Sequence, residues 1–292
     1  MHPAVRLCAA LLLATLATPT LAQPLPADPD LPAISDLVTA SRILANEGIL
    51  DSFGHVSARS SRNPEHFFIP RAMPPALVTR DDIVEVGLDC KPLDPNAPRL
   101  NGERFIHCQV YRARPDMASV IHTHDLAVIP FGLAKVPLRP VVAQAGFLPP
   151  ETPLFEVRDH NAGQDKRGML VLNAALGDAL AKTLGPHPVV LMRGHGETVV
   201  GRSVREATVR ALYTHIDALA QQAAMALGAC SGESLPPTRS GVAAGSPTRT
   251  CANERAATIT ALDDAELATN AAENFDADRP WQNYRARLPA GQ

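Results

Sequence analysis

Aromatic side chains are scarce in this chain of 292 residues: one Trp, three Tyr and eight Phe make up 4% of it. Base-stacking surfaces are built from such rings, so their scarcity argues against a single-strand nucleic-acid groove. The sequence has no Lys/Arg-rich run, and its formal net charge is −3. It therefore lacks the basic footprint that a phosphate backbone attracts. Long apolar runs are absent past the first two dozen residues, so no later segment is predicted to span a membrane. What remains is a chain with a 46% hydrophobic fraction, enough for one globular domain of about 200–250 residues with extensions.

The start of the chain, "MHPAVRLCAALLLATLATPTLAQ", has Arg6, then an apolar run, then small residues before Gln23. That order predicts a secretory signal peptide over residues 1–22, cleaved after Ala22. A retained N-terminal anchor is the other reading of the same run. Cleavage implies a soluble protein, exported to the periplasm or secreted. Cys8 leaves with the leader, and Cys90, Cys108, Cys230 and Cys251 remain. Cys230 and Cys251 flank a Gly/Ser/Pro-rich stretch and form a candidate disulfide in an oxidising compartment, although spacing does not fix connectivity. Cys108 sits in an apolar helical pattern and is expected to be a buried thiol.

Periodicity divides the rest. "ISDLVTASRILANEG" has helical spacing with Gly48 as its stop, and "GHVSARS" and "HFFIP" alternate as the strands of a hairpin. "DIVEVGLDCKPL" predicts a further strand pair, and "ERFIHCQVYRAR" an amphipathic helix ended by Pro115. "ASVIHTHD" is a strand. Residues 126–134 predict a short helix, "PLRPVVAQAG" a loop and strand, and "GMLVLNAALGDALAKTLG" a helix closed by Gly185. "PVVLMRGHGETVVG" is a strand, a glycine turn and a returning strand. Ser203 and Glu206 form a capping box before a long helix. Residues 252–272 predict an extra helix, and "RPWQNYRARL" a docking segment. The expected fold is α/β, with a mixed, largely antiparallel sheet between helices over residues 23–228 and a tail over 229–292.

Chemistry enters at "SVIHTHDL". Side chains two apart on a strand share a face, so His122 and His124 point the same way. His195, between two glycines at the end of an apolar strand, supplies a third imidazole on a tight turn. Three imidazoles with an open position are a catalytic pattern for a divalent metal. Zinc suits that set first, with manganese, cobalt or iron as alternatives. Glu103 and His107 are four apart on the amphipathic helix and share a face. Glu103 reads either as a solvated charge at a helix end or as a carboxylate beside the metal.

Three ordered blocks resemble the class II aldolase/adducin family: "GILDSFGHVSAR", "GERFIHCQVYRARPDMASVIHTHD" and "VVLMRGHGETVVGRSVREA". The resemblance spans about residues 33–225. It implies an α/β/α layered fold, His122, His124 and His195 as metal ligands, Glu103 as catalytic acid/base and often a homotetramer. The family's usual asparagine is His55 here. Where sugar-phosphate members place hydroxyls, this chain has Ala72, Met73 and Pro74, followed later by Asn101 and Gly102. Phosphate binding needs several donors converging on one point, so these exchanges argue against a sugar phosphate. Arg71 is a candidate fork for a substrate carboxylate or else a surface salt bridge, and His55 and Arg71 together are the candidate substrate-binding pair.

The resemblance implies a carbon–carbon lyase acting on a small hydroxylated carboxylic acid, through a metal-stabilised enolate with Glu103 moving the proton. Decarboxylation of a hydroxyaromatic or hydroxy-keto acid is the expectation. Aldol cleavage of an unphosphorylated hydroxy-keto acid is one alternative, and a non-catalytic adducin-like or metal-binding protein is another. His160, His187 and His215 are expected to be structural or exposed.

Overall fold

A computed structural model describes residues 28–161, 168–230, 259–273 and 276–290. The predicted leader and the Cys230–Cys251 pairing lie outside the described residues. The first helix, α1 (Leu31–Asn46), buries Leu37, Ala40, Ser41, Ile43 and Leu44 on one stripe, the three-and-four spacing of an amphipathic helix. Strands β1 (His55–Arg59), β2 (His66–Pro70) and β3 (Ile83–Gly87) follow, then helix α2 (Arg104–Ala113), strand β4 (Ser119–Thr123) and helix α3 (Ile129–Ala134). Next come β5 (Leu154–Phe155), α4 (Ala174–Leu184), β6 (Val189–Met192), β7 (Gly196–Gly201) and the long α5 (Val204–Cys230). Helices α6 (Asp264–Glu273) and α7 (Asp278–Ala286) end the chain, and α7 buries Trp281.

The strands form one seven-stranded sheet in the order β3-β2-β1-β4-β7-β6-β5. Every neighbouring pair is antiparallel except β5 with β6. Alternation splits the sheet between two cores. Val56, Ala58, Phe68, Ile121 and Val199 pack with α1 and α5. Phe67, Ile69, Val120, Val190 and Val200 pack with α2 and α4 on the opposite face. This is the expected layered arrangement, and the alternation decides which face each polar strand residue meets. His55, Ser57 and His122 follow the phase of Val120 and turn toward α2. Thr123 and Glu197 follow Ile121 and turn toward α5.

Several expectations are corrected. The strand pair predicted in "DIVEVGLDCKPL" is the single strand β3 and a turn that returns to it through one isolated bridge, Val86 with Pro92. Residues 137–146 contain no strand and hold only a 3-10 turn at Ala143–Ala145. Pro137 and Pro140 have no N–H for a ladder, and the Val141 and Val142 N–H groups both donate to Asp217 Oδ1, at 2.7 and 2.9 Å. The helix predicted from residue 168 starts only at Ala174, capped by Asn173 Oδ1 accepting from the Leu176 N–H at 2.9 Å. Cys108 is not a thiol: it is bonded to Cys90, with Cα atoms 5.7 Å apart. Eighteen residues separate the two, and only the packing of α2 against the turn after β3 brings them within reach.

Candidate metal centre

His122 sits on the sheet's central strand and is fully buried. Its Nδ1 lies 3.0 Å from the Glu197 carbonyl oxygen. A carbonyl only accepts, so Nδ1 carries the proton and Nε2 presents a lone pair. That Nε2 is buried with no hydrogen-bond partner. His124, just past the strand end, keeps its ring on the same side, with ring centroids 5.0 Å apart. His195 arrives on the turn between β6 and β7, and its Nε2 lies 3.1 Å from His124 Nε2. Glu103, at the N-terminal end of α2, places Oε2 3.5 Å from His122 Nε2 and 3.4 Å from His195 Nε2. The donor atoms of these four residues all lie within 4.8 Å of one another.

Two glycines permit the convergence. Gly196 has φ +149°, and a Cβ there would stand 1.9 Å from the Thr123 carbonyl oxygen. Gly54 has φ +84°, and its Cβ would fall 2.8 Å from the His122 carbonyl oxygen. Both turns press against the strand that carries His122 and His124, and a side chain at either position would push the histidines apart.

The electrostatics suit a cation. Burial and the neighbouring His122 and His195 rings push His124 down to about 4, so it is neutral and nucleophilic near pH 7. Burial works to raise Glu103, but the His122 and His195 imidazoles outweigh it and hold the carboxylate ionised. Its other oxygen, Oε1, accepts from the Val171 N–H at 2.8 Å. A buried, unpartnered imidazole lone pair beside two further imidazoles and an ionised carboxylate is the donor set of a divalent-metal site.

Behind the cluster, facing α5, Glu197 is fully buried. Burial, with Asp125 beside it, pushes its carboxyl well above the usual range. Asp125 in turn accepts from His215 Nδ1 at 2.9 Å. His215 is therefore structural. His160 is exposed and stacks on Phe155 with centroids 5.3 Å apart.

The two candidate substrate residues part company. His55 lies beside the cluster, its ring centroid 5.4 Å from that of His122. Arg71 is not gathered into the cluster: its Nε donates to Asp82 Oδ1 at 2.7 Å and its side chain is 42% exposed. Three contributors escaped the sequence reading: the Val171 N–H, Ser57 and His107. Only His107 left a trace there, through its four-residue spacing from Glu103.

Residues 35–224 match the Class II Aldolase and Adducin N-terminal domain. The decarboxylase tropJ of Talaromyces stipitatus is 35% identical over 210 residues, 68% of this chain and 79% of that one. The 3,4-dihydroxyphthalate decarboxylase of a Terrabacter species is 35% identical over 192 residues, 62% of this chain and 76% of that one. An aldolase II superfamily protein from Pseudomonas syringae shares the fold, with a TM-score of 0.66 over 89% of this chain and 92% of that one, at 21% identity. The match covers every strand of the sheet and all four residues of the cluster, and the chain belongs to the class II aldolase and adducin family.

Proposed function

We propose that the protein is a divalent-metal-dependent decarboxylase of a hydroxylated aromatic carboxylic acid. The observation that carries this assignment is the convergence of His122, His124, His195 and Glu103 on one point, in a chain similar to named decarboxylases. The surroundings favour a flat, partly apolar substrate. Phe53 is 65% exposed and stacks on His124 with centroids 5.9 Å apart. Pro70, Met73 and Pro75 stand beside His55, and the polar residues among them, Ser41 and Asn101, already donate to the Leu37 and Pro70 carbonyls, whereas a phosphate would need free convergent donors.

The three histidines would hold the ion, zinc first among the alternatives. When bound, it supplies Lewis-acid polarisation of substrate oxygens. Glu103 Oε2 faces the same point and, ionised at rest, would take up the proton that a bound substrate hydroxyl gives up and pass it to the carbon that the departing carboxyl group leaves. The Val171 N–H holds Oε1, so the carboxylate keeps one orientation. His55 keeps Nε2 for a substrate oxygen. Phe53, stacked on His124, offers an apolar face beside the cluster.

Export and self-association belong to the same proposal. The Cys90–Cys108 disulfide supports an oxidising compartment. Leu133, Met169 and Leu172 are 57%, 37% and 51% exposed, which supports a second copy covering this apolar surface in a homo-oligomer.

The test is product release. Metal-loaded protein should free carbon dioxide from dihydroxybenzoates or dihydroxyphthalates, and lose that activity with a chelator or in His122→Ala. Aldehyde release from an unphosphorylated hydroxy-keto acid, without carbon dioxide, would establish aldol cleavage instead. Neither product, with no metal retained after zinc, manganese or cobalt loading, would overturn the lyase assignment.

A further inference from the structure

Beside the metal cluster, four buried polar side chains form an unbroken chain across the α2–sheet interface. His55 Nδ1 lies 2.6 Å from His107 Nε2. His107 Nδ1 lies 2.7 Å from Ser57 Oγ, and Ser57 Oγ lies 2.8 Å from the Tyr111 hydroxyl. Ser57 Oγ also donates to the Val120 carbonyl oxygen at 3.1 Å. His107, Ser57 and Tyr111 are fully buried, and His55 is 6% exposed. The fit follows from two periodicities. His55 and Ser57 are two apart on a strand, about 6.6 Å. His107 and Tyr111 are four apart on the facing helix, about 6 Å. The two pairs therefore interdigitate.

We infer that His107 is a positioning residue: through it, Ser57 and Val120 fix the protons of His55 so that Nδ1–H points inward and a bare Nε2 lone pair faces the substrate.

The direction comes from counting protons. The Val120 carbonyl only accepts, so the proton between it and Ser57 belongs to Ser57. Ser57 has no second proton and must accept from its other two neighbours. Tyr111 then donates its O–H to Ser57, which uses the phenol's one proton. His107 donates Nδ1–H to Ser57, which leaves its Nε2 as an acceptor. His55 donates Nδ1–H to that acceptor, and its own Nε2 is left unprotonated. The reverse arrangement gives Ser57's proton to His107. It leaves the Ser57 and Val120 oxygens 3.1 Å apart with no proton between them, a contact of two lone pairs inside the core. Both rings are neutral in this scheme.

An outward lone pair accepts and does not donate. If the site is the decarboxylase proposed above, on which this step rests, His55 takes a hydrogen bond from a substrate hydroxyl and disfavours a carboxylate at that position. The required substrate feature is then a phenolic O–H beside His55, with the carboxyl group elsewhere.

The test uses the whole zinc-loaded protein labelled with 15N-histidine. Long-range 1H–15N spectra should show His55 and His107 both protonated at Nδ1. Protonation of His55 at Nε2 would overturn the inference. Ser57→Ala removes the acceptor at the end of the chain and should give His55 a mixture of tautomers, while Tyr111→Phe removes one donor and should leave the His55 tautomer unchanged. A shift of the same size in Tyr111→Phe counts against the assigned direction. His107→Phe should keep zinc at the wild-type ratio while kcat/KM falls about 10- to 100-fold. Loss of zinc in that variant would mean that His107 acts on the ligand set and not through His55. The hydroxyl requirement is checked by O-methylating the substrate, which should raise KM in the wild type and change it little in His107→Phe. Should a variant fail to fold, the wild-type spectrum still decides the proton arrangement. The expected spectrum in a protein that releases no carbon dioxide supports the arrangement and removes only the decarboxylase assignment.

Discussion

His122 Nδ1 donates to the Glu197 carbonyl at 3.0 Å, and that one bond turns its Nε2 lone pair toward Glu103 and the other two histidines. The acceptor is backbone, held by the pairing of β4 with β7, in which His122 faces Thr198 and Thr123 faces Glu197. The sheet itself therefore chooses the tautomer. His122→Ala is expected to drop retained divalent metal from near one per subunit to below one-tenth, as measured by elemental analysis after dialysis. Full retention would disprove the three-histidine site.

Gly196→Ala tests the same relationship from the backbone side. The new Cβ would meet the Thr123 carbonyl oxygen at 1.9 Å, so β7 must shift away from β4. Strained backbone alone costs about 1–3 kcal/mol, and the clash adds to it. A lower urea midpoint together with weakened metal retention is expected. An unchanged midpoint would show that the turn has slack that its geometry denies.

Glu103→Gln keeps an oxygen for the Val171 N–H, which now sits at 2.8 Å from Oε1, but removes the carboxylate that would take up and return the proton. Loss of a positioned acid/base costs about 10²- to 10⁴-fold. We expect kcat to fall in that range while KM changes less than tenfold. A variant with wild-type kcat would place the proton transfer on another group.

The Cys90–Cys108 bridge spans 18 residues and ties α2, with Glu103 and His107 on it, to the turn after β3. A loop of this length contributes roughly 3 kcal/mol through the unfolded chain. Cys90→Ser/Cys108→Ser should lower unfolding free energy by about that amount, and a reductant should destabilise the wild type without affecting the double variant. Equal response of both proteins to reductant would argue against the bond.

Asp217 holds the Val141 and Val142 N–H groups, and burial pushes its carboxyl up to about 6 from an ordinary 3.8. A folded-state value above the unfolded one means that the folded chain binds the proton more tightly. The associated stability is full below about pH 4 and is lost as the pH rises through about 6, on the order of 3 kcal/mol in all. Asp217→Asn should flatten this part of the stability profile in urea titrations between pH 4 and 7. A slope identical to the wild type would locate the titration elsewhere.

The sequence by itself determined the local elements and the face of each strand residue. Period-two alternation was enough to align His122 with His124, and the glycine-flanked His195 announced a tight turn, because both are properties of a few consecutive residues. Helical spacing likewise placed Glu103 and His107 one turn apart. Tertiary structure decided everything that joins distant residues. Cys90 reaches Cys108 only when α2 docks, the Val171 N–H reaches Glu103 across 68 positions, and His55 reaches His107 across 52. It also overruled local pattern at Val141 and Val142, where Asp217, about 75 residues away, takes the N–H groups a strand would have used. Backbone periodicity is written in neighbouring residues. The partner of a buried donor or thiol is set by which elements pack together, and no short stretch of sequence contains that.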